Sequence, residues 1–139
     1  MNIKLILLMQ NRVRDLIELT NKADEFMQYH HLPLEITYKV NLILEEALTN
    51  IIKYAYKDTL AHDIRIEMTL KEHELIIELQ DDGEEFDPIA APPPKTPDSV
   101  SESPVGGLGI HLVKQMADGV EYKRHQGRNI LRARVNVQP

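Results

Sequence analysis

Residues 64–83 read Ile64-Arg65-Ile66-Glu67-Met68-Thr69-Leu70-Lys71-Glu72-His73-Glu74-Leu75-Ile76-Ile77-Glu78-Leu79-Gln80-Asp81-Asp82-Gly83. Ile64, Ile66, Met68 and Leu70 alternate with Arg65, Glu67 and Thr69, the period of two that lays one face of a strand on a core. Leu75 to Gln80 forms a second strand, and the short Lys71–Glu74 link predicts an antiparallel hairpin. Asp81 then stands where a buried edge opens into a loop. A carboxylate placed there accepts a hydrogen bond from an exocyclic amine, and Gly83 lets the chain turn closely against a flat base. An Asp-Asp-Gly turn joining two elements is the plain alternative.

Outward on the N-terminal side, residues 34–56 carry Ile36, Val40, Ile43, Leu44, Ala47, Leu48, Ile51 and Ile52 at three- and four-residue steps, a helix with a wide apolar stripe. An earlier helix is expected over about residues 12–29, with Asn11 as N-cap and Pro33 as its stop. Residues 2–10 are expected to form a first strand. On the helix that ends near Tyr56, Glu46 and Asn50 are four residues apart, about 40° in azimuth at about 3.6 residues per turn. They share a face beside the Ile43/Ala47/Ile51 stripe. An amide oxygen at Asn50 is a suitable hard ligand for magnesium, and the Glu46 carboxylate one turn away could deprotonate an attacking hydroxyl or water. Plain solvation of both side chains is the competing reading.

On the C-terminal side, six of the eight prolines, at 88, 92, 93, 94, 97 and 104, fall between Phe86 and Val105. That composition excludes a regular element, and a long irregular segment between two ligand clusters is read as a lid over about 86–105. Gly106-Gly107-Leu108-Gly109 follows it and opens a helix. Backbone N–H groups and the helix dipole favour a phosphate there, and missing side chains allow close approach. Val120–Lys123 and Ile130–Val137 close a second hairpin, with Gly119 capping the helix before it. The order β-α-α-β-β-lid-α-β-β predicts an α+β two-layer sandwich, a mostly antiparallel sheet with helices on one face.

The 139 residues fit one domain, with no internal repeat. The apolar run Leu5–Met9 is far short of the roughly 20 residues of a membrane span, and no signal-peptide cleavage site follows the start. With no cysteine, disulfides and thiolate metal sites are excluded, which fits a cytoplasmic protein. A formal charge of −6 disfavours direct nucleic-acid binding. The basic tail of Lys123, Arg124, His125, Arg128, Arg132 and Arg134 could face nucleotide phosphates or an acidic partner, and is read in the first place as a solvated face of a strand pair.

The order of these clusters resembles the GHKL ATPase superfamily, whose Bergerat-type ATP-binding fold is shared by gyrase, Hsp90, histidine kinases and MutL. Glu46 and Asn50 match its N box, Asp81-x-Gly83 its adenine motif, and Gly107-Leu108-Gly109 its glycine motif after the lid, so the resemblance covers nearly the whole chain. The short length, the two N-terminal elements and the form Asp81-Asp82-Gly83-x-x-Phe86-Asp87-Pro88 are most similar to the anti-sigma factor serine/threonine kinases of bacterial partner switching. The resemblance implies ATP and Mg2+ as ligands. Asn50 holds the metal, Asp81 and Gly83 take the adenine, Gly107, Leu108 and Gly109 cradle the phosphates, and Glu46 is the general base. It also implies a STAS-domain antagonist as substrate, possible binding of a sigma factor, and a homodimer. Two departures stand out: Tyr54-Ala55 where many relatives have His-Gly, and Gly127-Arg128-Asn129 where they have Gly-Thr, with Asn129 left to donate a hydrogen bond at the nucleotide. A nucleotide-gated binding module that catalyses nothing is the alternative from another class. A histidine kinase acting in trans lacks the dimerisation helices and phospho-accepting His expected before the domain.

Overall fold

The computed structural model describes residues 2–90 and 108–137. Strand β1 spans Ile3–Gln10, helix α1 Val13–Tyr29, helix α2 Leu34–Tyr54, strand β2 Asp63–Leu70 and strand β3 Glu74–Asp81. A 3-10 turn at Pro88–Ala90 precedes helix α3 at Leu108–Met116, strand β4 at Gly119–His125 and strand β5 at Arg128–Asn136. The five strands form one sheet in the order β1-β2-β3-β5-β4, with every neighbouring pair antiparallel. The α+β sandwich expected from the pattern is therefore the observed architecture.

Alternation decides which face of the sheet the helices cover. Ile64, Ile66 and Met68 of β2, Leu75, Ile77 and Leu79 of β3, and Leu131, Ala133 and Val135 of β5 are buried together with Leu19, Ala23 and Met27 of α1. Helix α2 contributes Val40, Ile43, Leu44, Ala47 and Leu48 to the same core and packs against both α1 and α3. The opposite face is charged, with Lys4 and Arg65 on Glu67 at 3.0 and 2.8 Å and Arg132 on Glu78 at 3.0 Å. These half-exposed pairs are screened by solvent and contribute little beside the buried apolar face that the helices cover.

Three local expectations change. Asn11 does not cap α1: Arg12 occupies the N-cap with no side-chain hydrogen bond, and Asn11 instead accepts the His62 backbone N–H at 2.8 Å. Helix α1 is ended by His31, in the left-handed region at φ 57°, with the Leu32 N–H reaching back to the Met27 carbonyl, before Pro33 is met. Gly119 begins β4 and does not cap α3; a Cβ there would fall 2.2 Å from the Arg134 guanidinium. The β4–β5 hairpin turns through Gln126 and Gly127, both at positive φ, a two-residue turn whose twist matches the strands.

Candidate functional site

Period two carries polar groups into the end of the core. On β3 the inward series Leu75, Ile77, Leu79 ends in Asp81, and on β5 the series Val135, Ala133, Leu131 ends in Asn129. The strand register places Asp81 directly opposite Asn129 and Asn129 opposite Arg124 on β4, a row across three strands. Asp81 and Asn129 are 3% and 6% exposed, so both demand partners.

They find them in each other and in the following turn. Asn129 donates through Nδ2 to Asp81 Oδ1 at 3.0 Å and to the Glu84 carbonyl at 2.7 Å. Its Oδ1 accepts from the Tyr122 hydroxyl at 2.6 Å and from Arg124 at 3.1 Å. The Gly83 N–H donates to Asp81 Oδ1 at 2.9 Å, and Arg124 donates to the Gly83 carbonyl at 2.8 Å. Every anchoring bond thus falls on Oδ1 of Asp81, and among the described residues none falls on Oδ2. Burial pushes the Asp81 carboxyl up, against the opposing pull of Asn129, the Gly83 N–H and Arg124.

Gly83 is fixed by the space around it. A Cβ there would lie 2.5 Å from the Ala55 carbonyl oxygen and 2.6 Å from the Ala55 Cβ. The same Ala55 carbonyl accepts the Glu84 N–H at 2.8 Å. The end of α2 is therefore laced to the turn after β3, and the Tyr54-Ala55 pair puts its small member against Gly83.

Asp81 and Asn129 open into a cleft of about 390 Å³ that includes its mouth, with Asn50, Ala47, Ile51 and Ala55 of the α2 region on one side. Phe86, Pro88, Ile110, Tyr122 and Leu131 complete the lining. An apolar slot with a few polar groups on its walls is the form of a site for a flat, partly apolar ligand. Asn50 is 8% exposed, and its Oδ1 is buried with no hydrogen-bond partner among the described residues. An orphaned acceptor at this depth suits a hard cation, and magnesium commonly takes one or two protein ligands and completes its shell with phosphates and water. No cluster of three His, Asp or Glu side chains able to hold a metal occurs among the described residues.

Glu46 is half-buried on α2, one turn before Asn50, and does not line the cleft itself. No described side chain forms a hydrogen bond or ion pair with it. Leu108 and Gly109 begin α3. Gly107 and Gly106 lie outside the described residues, as does the lid from 91 to 105; its first residues form the 3-10 turn, whose Ile89 carbonyl accepts a hydrogen bond from Lys114 of α3.

Sequence reasoning missed Tyr122 as part of the site and read Arg124, with the rest of the basic tail, as solvated in preference to facing a ligand. The solvated-face reading holds for the exposed Lys123, His125, Arg132 and Arg134, whereas Arg124 is half-buried and reaches Gly83 and Asn129. The signal was present in β4: Val120, Tyr122 and Arg124 share the inward parity of Leu131 and Asn129 across the hairpin.

The chain and its fold have known counterparts. The chain is 28% identical over 120 residues to the serine/threonine-protein kinase BtrW of Bordetella bronchiseptica, a match covering 81% of this chain and 83% of that protein. It is 30% identical over 97 residues to the serine-protein kinase RsbW of Bacillus subtilis, covering 63% of this chain and 58% of RsbW. Among solved structures, the RsbU and RsbW domains of Rv1364c from Mycobacterium tuberculosis share the fold at a TM-score of 0.65 and 8% identity, over 99% of this chain and 33% of that one. The SiaB–SiaC complex from Pseudomonas aeruginosa does so at 0.59 and 14% identity, over 94% and 89%. The profile of the histidine kinase-like ATPase domain matches residues 9–135, and the chain belongs to that family.

Proposed function

We propose that the chain is an ATP-dependent protein-serine/threonine kinase of the anti-sigma factor type, acting on a STAS-domain antagonist. The observation that carries this reading is one cleft holding an Asp81 carboxylate anchored, among the described residues, through Oδ1 and an orphaned Asn50 oxygen, with Glu46, which has no described partner, one turn before it on α2. The serine and serine/threonine kinases among its relatives support the reaction type, and the SiaB–SiaC complex supports a protein partner.

In this reading Asp81 Oδ2 accepts from the adenine amino group while the apolar walls hold the ring. The phosphates run toward Asn50 and the start of α3, whose free N–H groups and dipole favour negative charge. Asn50 would hold magnesium, which would supply charge neutralisation for the phosphates. The substrate hydroxyl oxygen attacks the γ-phosphorus, the bond from that phosphorus to the β–γ bridging oxygen breaks, and ADP leaves. Glu46 takes the hydroxyl proton. Asn129 acts through Asp81, because both its donors are already engaged. Binding of a sigma factor and formation of a homodimer belong to the same proposal and rest on family likeness.

The test is phosphate transfer from labelled magnesium–ATP to a co-encoded STAS protein, with Glu46→Ala beside the wild type. Transfer that falls by about 10²–10⁴ in the variant, while nucleotide affinity persists, is expected. Absence of transfer to every co-encoded STAS protein sinks the kinase reading. Nucleotide-dependent partner binding, unchanged in Glu46→Ala, would then identify a gated binding module.

A further inference from the structure

The loop from Ala55 to His62 and the turn from Asp81 to Glu84 are joined outside the cleft as well as within it. His62 sits between two carboxylates: its Nε2 lies 2.8 Å from Asp58 Oδ1 and its Nδ1 3.2 Å from Asp82 Oδ1. The ring stacks on Tyr56 at 4.2 Å and 15° between planes. Its backbone N–H is held by Asn11 at 2.8 Å, so the histidine cannot follow a moving turn. Lys57 and Glu84 add a solvent-screened ion pair at 3.5 Å across the same gap.

A neutral imidazole has one N–H donor, and an ionised carboxylate only accepts. With an acceptor at each nitrogen, the neutral ring leaves one lone pair facing a carboxylate. Only the imidazolium serves both. We infer that His62, as an imidazolium bridging Asp58 and Asp82, is a positioning residue that holds the Asp81–Asp82–Gly83 turn in its nucleotide-binding form.

The chemistry of the surroundings agrees. The groups that face His62 are Asp58 and Tyr56 from the α2–β2 loop, Asp82 from the end of β3 and uncharged Asn11 from the β1–α1 link. The hydrogen bond to Asp58 raises the His62 pKa most, with Asp82 adding to it against the pull of desolvation, and His62 in turn lowers that of Asp58. A histidine whose folded value is raised contributes its full stabilisation below the ordinary imidazole value and loses it as pH rises through the raised one. The longer arm, to Asp82, is the one that reaches the residue next to the adenine acceptor. Affinity for nucleotide therefore falls as His62 loses its proton, and by linkage bound nucleotide raises the His62 pKa.

This inference rests on the ATP reading of the cleft, and the test separates the two. The His62 ring resonance, assigned with His62→Gln, is followed by NMR from pH 6 to 8.5, free and saturated with a non-hydrolysable magnesium–ATP analogue. The free wild type is expected to titrate above the ordinary histidine value, Asp82→Asn to bring it down, and the analogue to move it up. Analogue affinity is expected to fall about threefold across that range in the wild type beyond any slope shared with His62→Gln. Asp82 is exposed, so its variant reads the bridge without endangering the fold. A His62 titration indifferent to Asp82→Asn overturns the bridge. A titration indifferent to the analogue, with equal pH slopes in wild type and His62→Gln, overturns the positioning role. Absence of analogue binding in every form at every pH sinks the ATP reading and the positioning role together, while the Asp82→Asn arm still reads the bridge.

Discussion

At the Asp81 end of the cleft each anchoring group already has its protein partner, whereas at the Asn50 end the acceptor oxygen is buried and, among the described residues, neither it nor the neighbouring carboxylate of Glu46 has one. The first end is assembled from three strands and a turn whose backbone is laced to α2. The second is assembled from one helix. A flat base needs an acceptor fixed to within a few tenths of an ångström, and a fold supplies that by preorganisation. On the proposed reading a cation would bring its own charge and complete the geometry on arrival, which would account for the unsatisfied Asn50 oxygen.

The largest expected effect on stability tests how rigid the base end is. Gly83→Ala pushes a methyl group into the Ala55 backbone, and a loss of about 3 kcal/mol in urea unfolding is expected together with the loss of nucleotide binding. Wild-type stability in that variant breaks the contrast, because it means the turn yields freely. Asn129→Ala comes next. It removes donors from Asp81 and the Glu84 carbonyl and orphans the Tyr122 hydroxyl, for a loss of about 2 kcal/mol.

At the other end the sign reverses. Asn50→Leu replaces an unpartnered buried oxygen by an apolar group of similar size, so Tm is expected to stay level or rise, while the dependence of nucleotide affinity on magnesium disappears. A fall of more than about 2 kcal/mol would show that Asn50 is part of the scaffold after all. The smallest effect concerns Asp81→Asn. Burial raises the Asp81 pKa, so the folded state binds that proton more tightly than the unfolded chain does, and the ionised form costs stability at neutral pH. The variant is expected to match or slightly exceed the wild-type Tm at pH 7, with the difference shrinking as pH falls through the raised Asp81 value, and to bind nucleotide poorly.

The elements that were legible in the chain share a physical cause. The β2–β3 alternation, the α2 stripe and the placing of Asp81 at a strand end depend on neighbours within a few residues, and periodicity reports that directly. Asn129 was singled out, but as a donor to nucleotide; its donors go instead to Asp81, 48 residues away, and to Glu84, 45 away, distances only strand register can close. Asn11 matched a capping rule and lost to a bond with His62 across 51 residues. His62 itself carried no local signal, because a single histidine in a loop gains meaning only from the carboxylates that the fold brings to both its nitrogens.

The sequence alone determined the α+β class, the order of its elements and the residue types a nucleotide site would need, since all three follow from local spacing and side-chain chemistry. The tertiary structure decided which of those residues are partners: that Asn129 and Arg124 brace Asp81, that Ala55 leaves no room for more than glycine at 83, and that Asn50 is left unsatisfied. Strand order and register set those distances, and no stretch of chain short enough to show a period contains both Asp81 and Asn129, or both Ala55 and Gly83.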